Sequence, residues 1–145
     1  MTGAKPRVLV LCTANSCRSQ MSEGWLRHDL GDRVEVASAG TFRSFVHPSA
    51  IEVMREAGVD ISEQRSKSVR ELAGEPWDLV VTVCDAARDR CPVLPGARRK
   101  LHEPIEDPVG NPPAGDDGLD DFRRARDEIR AKLVGLVRRE LLEGA

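Results

Sequence analysis

Two stretches of the chain are apolar at most positions, and each runs into a cysteine. Val8–Leu11 leads without a polar break into Cys12, and Asp78–Val83 leads into Cys84. Short continuous apolar runs of this kind mark strands covered on both faces in a parallel sheet. Val34–Ser38 alternates like a third strand closed by Gly40, and Arg99–His102 is a weaker strand pattern. Helical patterns lie between and after these runs. The first spans about Ser16 to Leu30, with Met21, Trp25, Leu26 and Leu30 toward the core and Gly31-Asp32 as its end. A second runs from Pro48 to about Ala57, started by proline and stopped by Gly58. A short one covers Val69–Ala73. The last covers Leu119–Leu142, where Phe122, Ile129, Leu133, Leu136 and Val137 recur at helical spacing and charged residues take the outer face.

Strands alternating with helices predict an α/β fold, a four-stranded parallel sheet flanked by helices and joined by right-handed crossovers. Residues 1–145 read as one domain, without repeat, low-complexity segment or linker. Ligands in such sheets bind beyond the carboxyl ends of the strands. Cys12 and Cys84 each follow a strand at that end, so the pattern predicts that they share one site. The segment 103–118, with four prolines and five acidic residues, is a long loop and a candidate functional one.

Composition narrows the picture mostly by exclusion. A net charge of −2 and a pI near 5.9 leave no electrostatic footprint for nucleic acid. No apolar run approaches the roughly 18 residues of a membrane span, and the N-terminal residues lack a signal peptide's apolar stretch. The expectation is a cytoplasmic protein with no membrane partner. In a reducing cytosol, the four cysteines point to catalysis, redox chemistry or metal binding rather than structural disulfides.

The segment Cys12-Thr13-Ala14-Asn15-Ser16-Cys17-Arg18-Ser19 has chemistry written into its spacing. A loop entering a helix aims several backbone N–H groups at one point, and the helix dipole adds positive potential there. Residues 13–18 supply those groups. Arg18 adds a charged planar fork that matches two oxygens of a tetrahedral oxyanion. The same field stabilises a thiolate at Cys12, to which Ser19 can donate a hydrogen bond. Asn15 can brace the loop and tolerates left-handed geometry. Cys17, at the helix start, reads as a small packing residue that contributes backbone only.

The second pair is Cys84 and Cys91, followed by Pro92. Were 84–91 helical, their Cα atoms would stand about 10.5 Å apart, and a disulfide needs roughly 4.4–6.8 Å. A Cys84–Cys91 bond therefore requires the segment to bend or unwind. Asp85, Ala86 and Ala87 carry no bulky apolar anchor to oppose that. Buried packing cysteines and a zinc site are the competing readings, and neither pair has the spacing that structural zinc favours. Asp107, before Pro108, can protonate an oxygen leaving the substrate. It can equally be a turn-initiating aspartate, and Glu103, Glu106, Asp116 and Asp117 compete for the role. His28, His47 and His102 read as surface or packing residues.

Taken together, residues 8–19, Ser38-Ala39-Gly40-Thr41, Val83-Cys84 through Cys91-Pro92 and Glu106-Asp107-Pro108 resemble the thioredoxin-coupled arsenate reductases. These share the fold of low-molecular-weight protein tyrosine phosphatases, and the resemblance covers nearly the whole chain. It implies reduction of arsenate to arsenite, a detoxification reaction with arsenate as substrate and thioredoxin as partner. Cys12 is then the nucleophile, Arg18 and residues 13–19 hold the oxyanion, Asp107 is the general acid, and Cys84 and Cys91 pass the disulfide outward. No cofactor is implied, and a monomer is expected. Some members bind potassium beside the anion loop; the matching positions include Asn15, Glu23 and Ser38, but the later ones fall on Arg65 and Lys67. A lysine ammonium there replaces the ion's charge, so no metal requirement is expected. The phosphatases usually carry aromatic residues after Asp-Pro, whereas Val109-Gly110 follow here and the chain has no tyrosine. That favours a small inorganic anion. The runners-up are a phosphatase with the same loop and a thiol sensor that binds without turnover.

Overall fold

Buried apolar strands do align in the middle of a parallel sheet. The computed structural model describes residues 5–72, 74–85, 87, 96–109 and 118–143. Strands β1 (Arg7–Cys12), β2 (Glu35–Gly40), β3 (Leu79–Thr82) and β4 (Lys100–His102) form one four-stranded sheet in the order β2-β1-β3-β4. All three pairings are parallel, with Leu11 opposite Ala39 on one side and Thr82 on the other. The two continuous apolar runs are the two inner strands: Val8, Leu9, Val10, Leu79, Val80 and Val81 are all fully buried.

Helix α1 (Arg18–Leu30) begins two residues later than the apolar pattern suggests, because residues 13–17 are taken up by the loop that precedes it. Met21, Trp25, Leu26 and Leu30 all face the core as expected. Helix α2 (Pro48–Glu56) starts on its proline, with the ring nitrogen Nδ1 of His47 accepting the Ser49 N–H at 3.1 Å as an N-cap. A single tight turn covers Val69–Leu72. Helix α3 (Leu119–Ile129) continues to Glu143 through wider turns at Arg130–Val134 and Arg138–Glu143. Its stripe of Phe122, Ile129, Leu133 and Val137 is buried, while Leu136 is only partly covered. The predicted α/β fold with a four-stranded parallel sheet is thus the observed one.

The topology carries both inner strands to the same end of the molecule. Cys12 and Cys84 leave the sheet from adjacent strands, whose axes in such sheets lie about 4.8 Å apart. A separate cleft of about 430 Å³ lies at the opposite end, around Arg7, Glu35 and Trp77, and contains no thiol. No helix among the described residues is long and apolar enough to cross a membrane.

Candidate active site

The loop between β1 and α1 turns sharply, and Asn15 makes that possible with φ of +51°. Gly40, at the end of β2, lets the loop lie against the sheet. A Cβ on Gly40 would stand 2.6 Å from the Asn15 nitrogen and 2.7 Å from the carbonyl oxygens of Thr13 and Phe42.

Every hydrogen-bonding group of the buried Asn15 side chain is used. Nδ2 donates to Ser19 Oγ at 2.8 Å and to Ser38 Oγ at 2.9 Å. Oδ1 accepts from Gln20 Nε2 at 2.9 Å and from the Lys67 amide at 2.8 Å. Ser38 in turn donates to Glu23 Oε1 at 2.6 Å. Because Ser19 accepts from Asn15, its own proton is free for Cys12 Sγ, 2.8 Å away. A hydroxyl that already accepts is also a better donor. The predicted Ser19–Cys12 contact and the bracing role of Asn15 therefore coincide in one chain of bonds from Glu23 to the sulfur.

A cleft of about 350 Å³ opens over this loop, lined by Cys12, Thr13, Ala14, Ser16, Cys17 and Arg18 and closed by Ser44, His47, Asp107 and Val109. Arg18 donates to the Ile105 carbonyl at 3.1 Å, and its other terminal nitrogen is 3.8 Å from Asp107 Oδ2. Asp107 forms a turn by accepting the Val109 N–H at 2.9 Å, so it is a turn-forming aspartate and a cleft-lining one at once. Of its rivals, Glu106 points toward Arg124, 3.8 Å away, and Glu103 is outside the cleft lining. Asp116 and Asp117 lie outside the described residues.

Cys84 is buried at the end of β3, with Sγ 3.2 Å from Thr13 Oγ1 of the loop and 3.3 Å from the Ala87 N–H. The structure thus brings the second thiol against the loop that follows the first, at the sheet end the strand pattern predicted. Cys91 and Pro92 lie outside the described residues. Cys12, Cys17 and Cys84 are free thiols. Burial pushes the Cys17 thiol up to about 12, so it stays protonated and inert at neutral pH, in line with a packing role.

Three features were not legible in the sequence. His47 is no simple surface or packing residue: it caps α2, lines the cleft and lies against Phe122, with ring centroids 4.9 Å apart. An aromatic ring thus enters the cleft lining from the β2–α2 connection, and the exposed Phe45 stacks on it with ring centroids 6.3 Å apart. His102 bridges Thr82 and Asp85, so the Cys84 turn does have an anchor, a polar one. Gln20 is fully buried and ties Asn15 to Arg65 and Gln64. No spacing rule in the sequence pairs such distant residues.

The positions that resemble a potassium site do not fit the ion here. Asn15 and Ser38 already donate into the network, and the Lys67 ammonium stands 3.9 Å from Glu23 Oε1 while donating to the Arg65 carbonyl at 3.1 Å. Arg27 pairs with the other Glu23 oxygen at 2.8 Å. Burial lowers the Lys67 pKa, against the opposing pull of Glu23. Two resident cations thus balance this buried carboxylate.

A cysteine, an arginine and an aspartate around a strand–loop–helix cleft mark the phosphatase-like class. The sequence profile of the low-molecular-weight phosphotyrosine protein phosphatase family matches residues 7–143, and the chain belongs to that family. Within it, the chain is 42% identical over 129 residues to an arsenate reductase of Halalkalibacterium halodurans, which covers 89% of this chain and 93% of that protein. It is 44% identical over 126 residues to an arsenate reductase of Staphylococcus xylosus, covering 87% and 92%. Among solved structures, an arsenate reductase in its oxidized state superposes with a TM-score of 0.79 at 29% identity, over 92% of this chain and 98% of the other. A low-molecular-weight protein tyrosine phosphatase from T. tengcongensis gives 0.70 at 30% identity, over 97% and 100%.

Proposed function

We propose that this protein reduces arsenate to arsenite through a relay of Cys12, Cys84 and Cys91. The observation that carries this reading is the second thiol: Cys84 Sγ touches Thr13 of the anion loop. Phosphate-ester hydrolysis needs Cys12, Arg18 and Asp107 and has no use for a thiol at that place. The names of the relatives point the same way.

The Cys12 thiolate attacks arsenic while the loop amides and Arg18 hold the remaining oxygens. One oxygen leaves, protonated by Asp107, and a sulfur–arsenic bond forms. Cys84 then attacks the Cys12 sulfur. The sulfur–arsenic electron pair stays on arsenic, which departs as arsenite, and a Cys12–Cys84 disulfide remains. Attack of the Cys91 thiolate on Cys84 releases the Cys12 thiolate and leaves Cys84–Cys91, which thioredoxin reduces. Each step moves one electron pair, and arsenate is the sole oxidant.

The test is to mix the reduced protein with arsenate, with no reductant present, then count thiols and map disulfides by peptide mass. The reading expects two thiols lost per chain, a Cys84–Cys91 bridge and one equivalent of arsenite. Four intact thiols together with phosphate-ester hydrolysis would make the protein a phosphatase. Arsenite affinity without arsenate consumption would make it a sensor. Replacing Cys91 with serine should leave the first arsenite release intact and stop thioredoxin-driven turnover after about one cycle.

A further inference from the structure

His102 ends β4 directly opposite Thr82 of β3. Its Nδ1 is 2.7 Å from Thr82 Oγ1, and its Nε2 is 2.8 Å from Asp85 Oδ1. Nδ1 also lies 3.1 Å from the Thr82 carbonyl oxygen, so Thr82 grips one side of the ring while the other side faces the Asp85 carboxylate. The ring is mostly covered, with 19% of its side chain exposed, while Asp85 is 72% exposed. Among the described residues, a largely covered ring therefore holds an exposed side chain.

Asp85 immediately follows Cys84, and this gives the contact its consequence. Among the described residues, Cys84, Asp85 and Ala87 have three polar side-chain ties: Thr13 to the sulfur, the Ala87 amide to the sulfur, and His102 to Asp85. Two of them are made by the Cys84 sulfur itself and change when that sulfur reacts. The third joins the turn to a strand that takes no part in the chemistry. We propose that His102 is a positioning residue that, through Asp85, latches the Cys84 turn in the closed arrangement that keeps the Cys84 thiol buried beside Thr13. The latch biases Cys84 toward the anion loop and against the opening that a bond to Cys91 requires. Only this last consequence rests on the relay proposed above. A partly exposed pair of this kind biases an equilibrium by no more than about fivefold.

The reduced protein, free of oxyanion, is pulsed with iodoacetamide, and modification of Cys84 and Cys12 is followed by peptide mass. His102→Ala and Asp85→Ala should each speed Cys84 modification about fivefold and leave Cys12 unchanged. The double variant should do no more than either single one. His102→Gln, whose amide reaches near the Nε2 position, should restore most of the protection. The same chains equilibrated in dithiothreitol redox buffers should form the Cys84–Cys91 disulfide more readily by a similar factor. An unchanged Cys84 rate, or additive effects in the double variant, overturns the latch. Because Asp85 is exposed, Asp85→Ala tests the tie without disturbing the core. If Cys84 protection responds as stated but the unsubstituted protein forms no Cys84–Cys91 bond, the latch stands and the relay falls.

Discussion

Asn15 and Asp85 each stand in the loop or turn that leads off an inner strand, and they are held in opposite ways. Asn15 is fully buried and uses both amide protons and its oxygen on four protein partners from three segments of the chain. Asp85 is mostly exposed and, among the described residues, is held by one histidine. On the proposed reading, the loop that would hold the oxyanion is built before any ligand arrives, while the turn beside it is held by fewer ties among the described residues. A transition state that gathers charge on oxygen rewards fixed donors, because no reorganisation is then left to the reaction. A thiol that changes partners, as the proposed relay has Cys84 do, requires the reverse, since a rigid segment could not bring its sulfur to two different places. One sheet end serves both needs because adjacent parallel strands deliver the two segments side by side.

The contrast can be tested from its strongest end. Arg18→Lys keeps the charge but loses the planar fork, and arsenate turnover should fall about 100-fold with little change in stability. Steady-state kinetics beside a thermal melt check this, and near-normal kcat/KM would mean that the loop amides alone hold the oxyanion.

Asn15→Ala comes next. It removes the four bonds and places alanine at positive φ, taking the acceptor from the Lys67 amide and a donor from the Ser19 and Ser38 hydroxyls. We expect a loss of about 2–4 kcal/mol in chemical denaturation. Asp85→Ala, by contrast, should cost at most about 1 kcal/mol. Equal losses at the two sites would erase the distinction drawn between them.

A smaller effect concerns the cleft border. Burial holds the His47 pKa below its ordinary 6.5, against a raising influence from Asp107. The unfolded chain therefore binds the proton more readily than the folded one. This contribution to stability is complete above about pH 6.5 and declines as the pH falls through the depressed folded value. Protonation also removes the acceptor that caps α2. Denaturation between pH 8 and pH 5 should show the native chain losing stability relative to His47→Asn, which keeps a capping oxygen but does not titrate. Parallel curves would remove His47 from the account.

The smallest expected effect is none. With Lys67 and Arg27 beside Glu23, exchanging sodium for potassium should move neither the melting temperature nor the rate. A clear rise in potassium would show that the ammonium does not replace the ion.

Much of the architecture follows from pattern alone. The two apolar runs could only be inner strands, the stripe from Phe122 to Val137 could only face a core, and α/β alternation then leaves few topologies. The same pattern places Cys12, Arg18 and Cys84 at one sheet end, because the chemistry of the loop is local: residues 12–19 are contiguous, and their spacing determines the cradle. What tertiary structure alone decided is everything that crosses between distant segments. Gln20 meets Gln64, Lys67 meets Glu23, and His102 meets Asp85 because crossovers and strand register bring them together, and no local periodicity encodes those meetings. The same holds for His47, whose cap is local but whose place in the cleft depends on how α2 and α3 pack around it. Hydrophobic periodicity reports which face of an element is buried. It carries no information about which polar group waits on the other side, since a hydrogen bond needs a few tenths of an ångström and a direction that only the packed chain supplies.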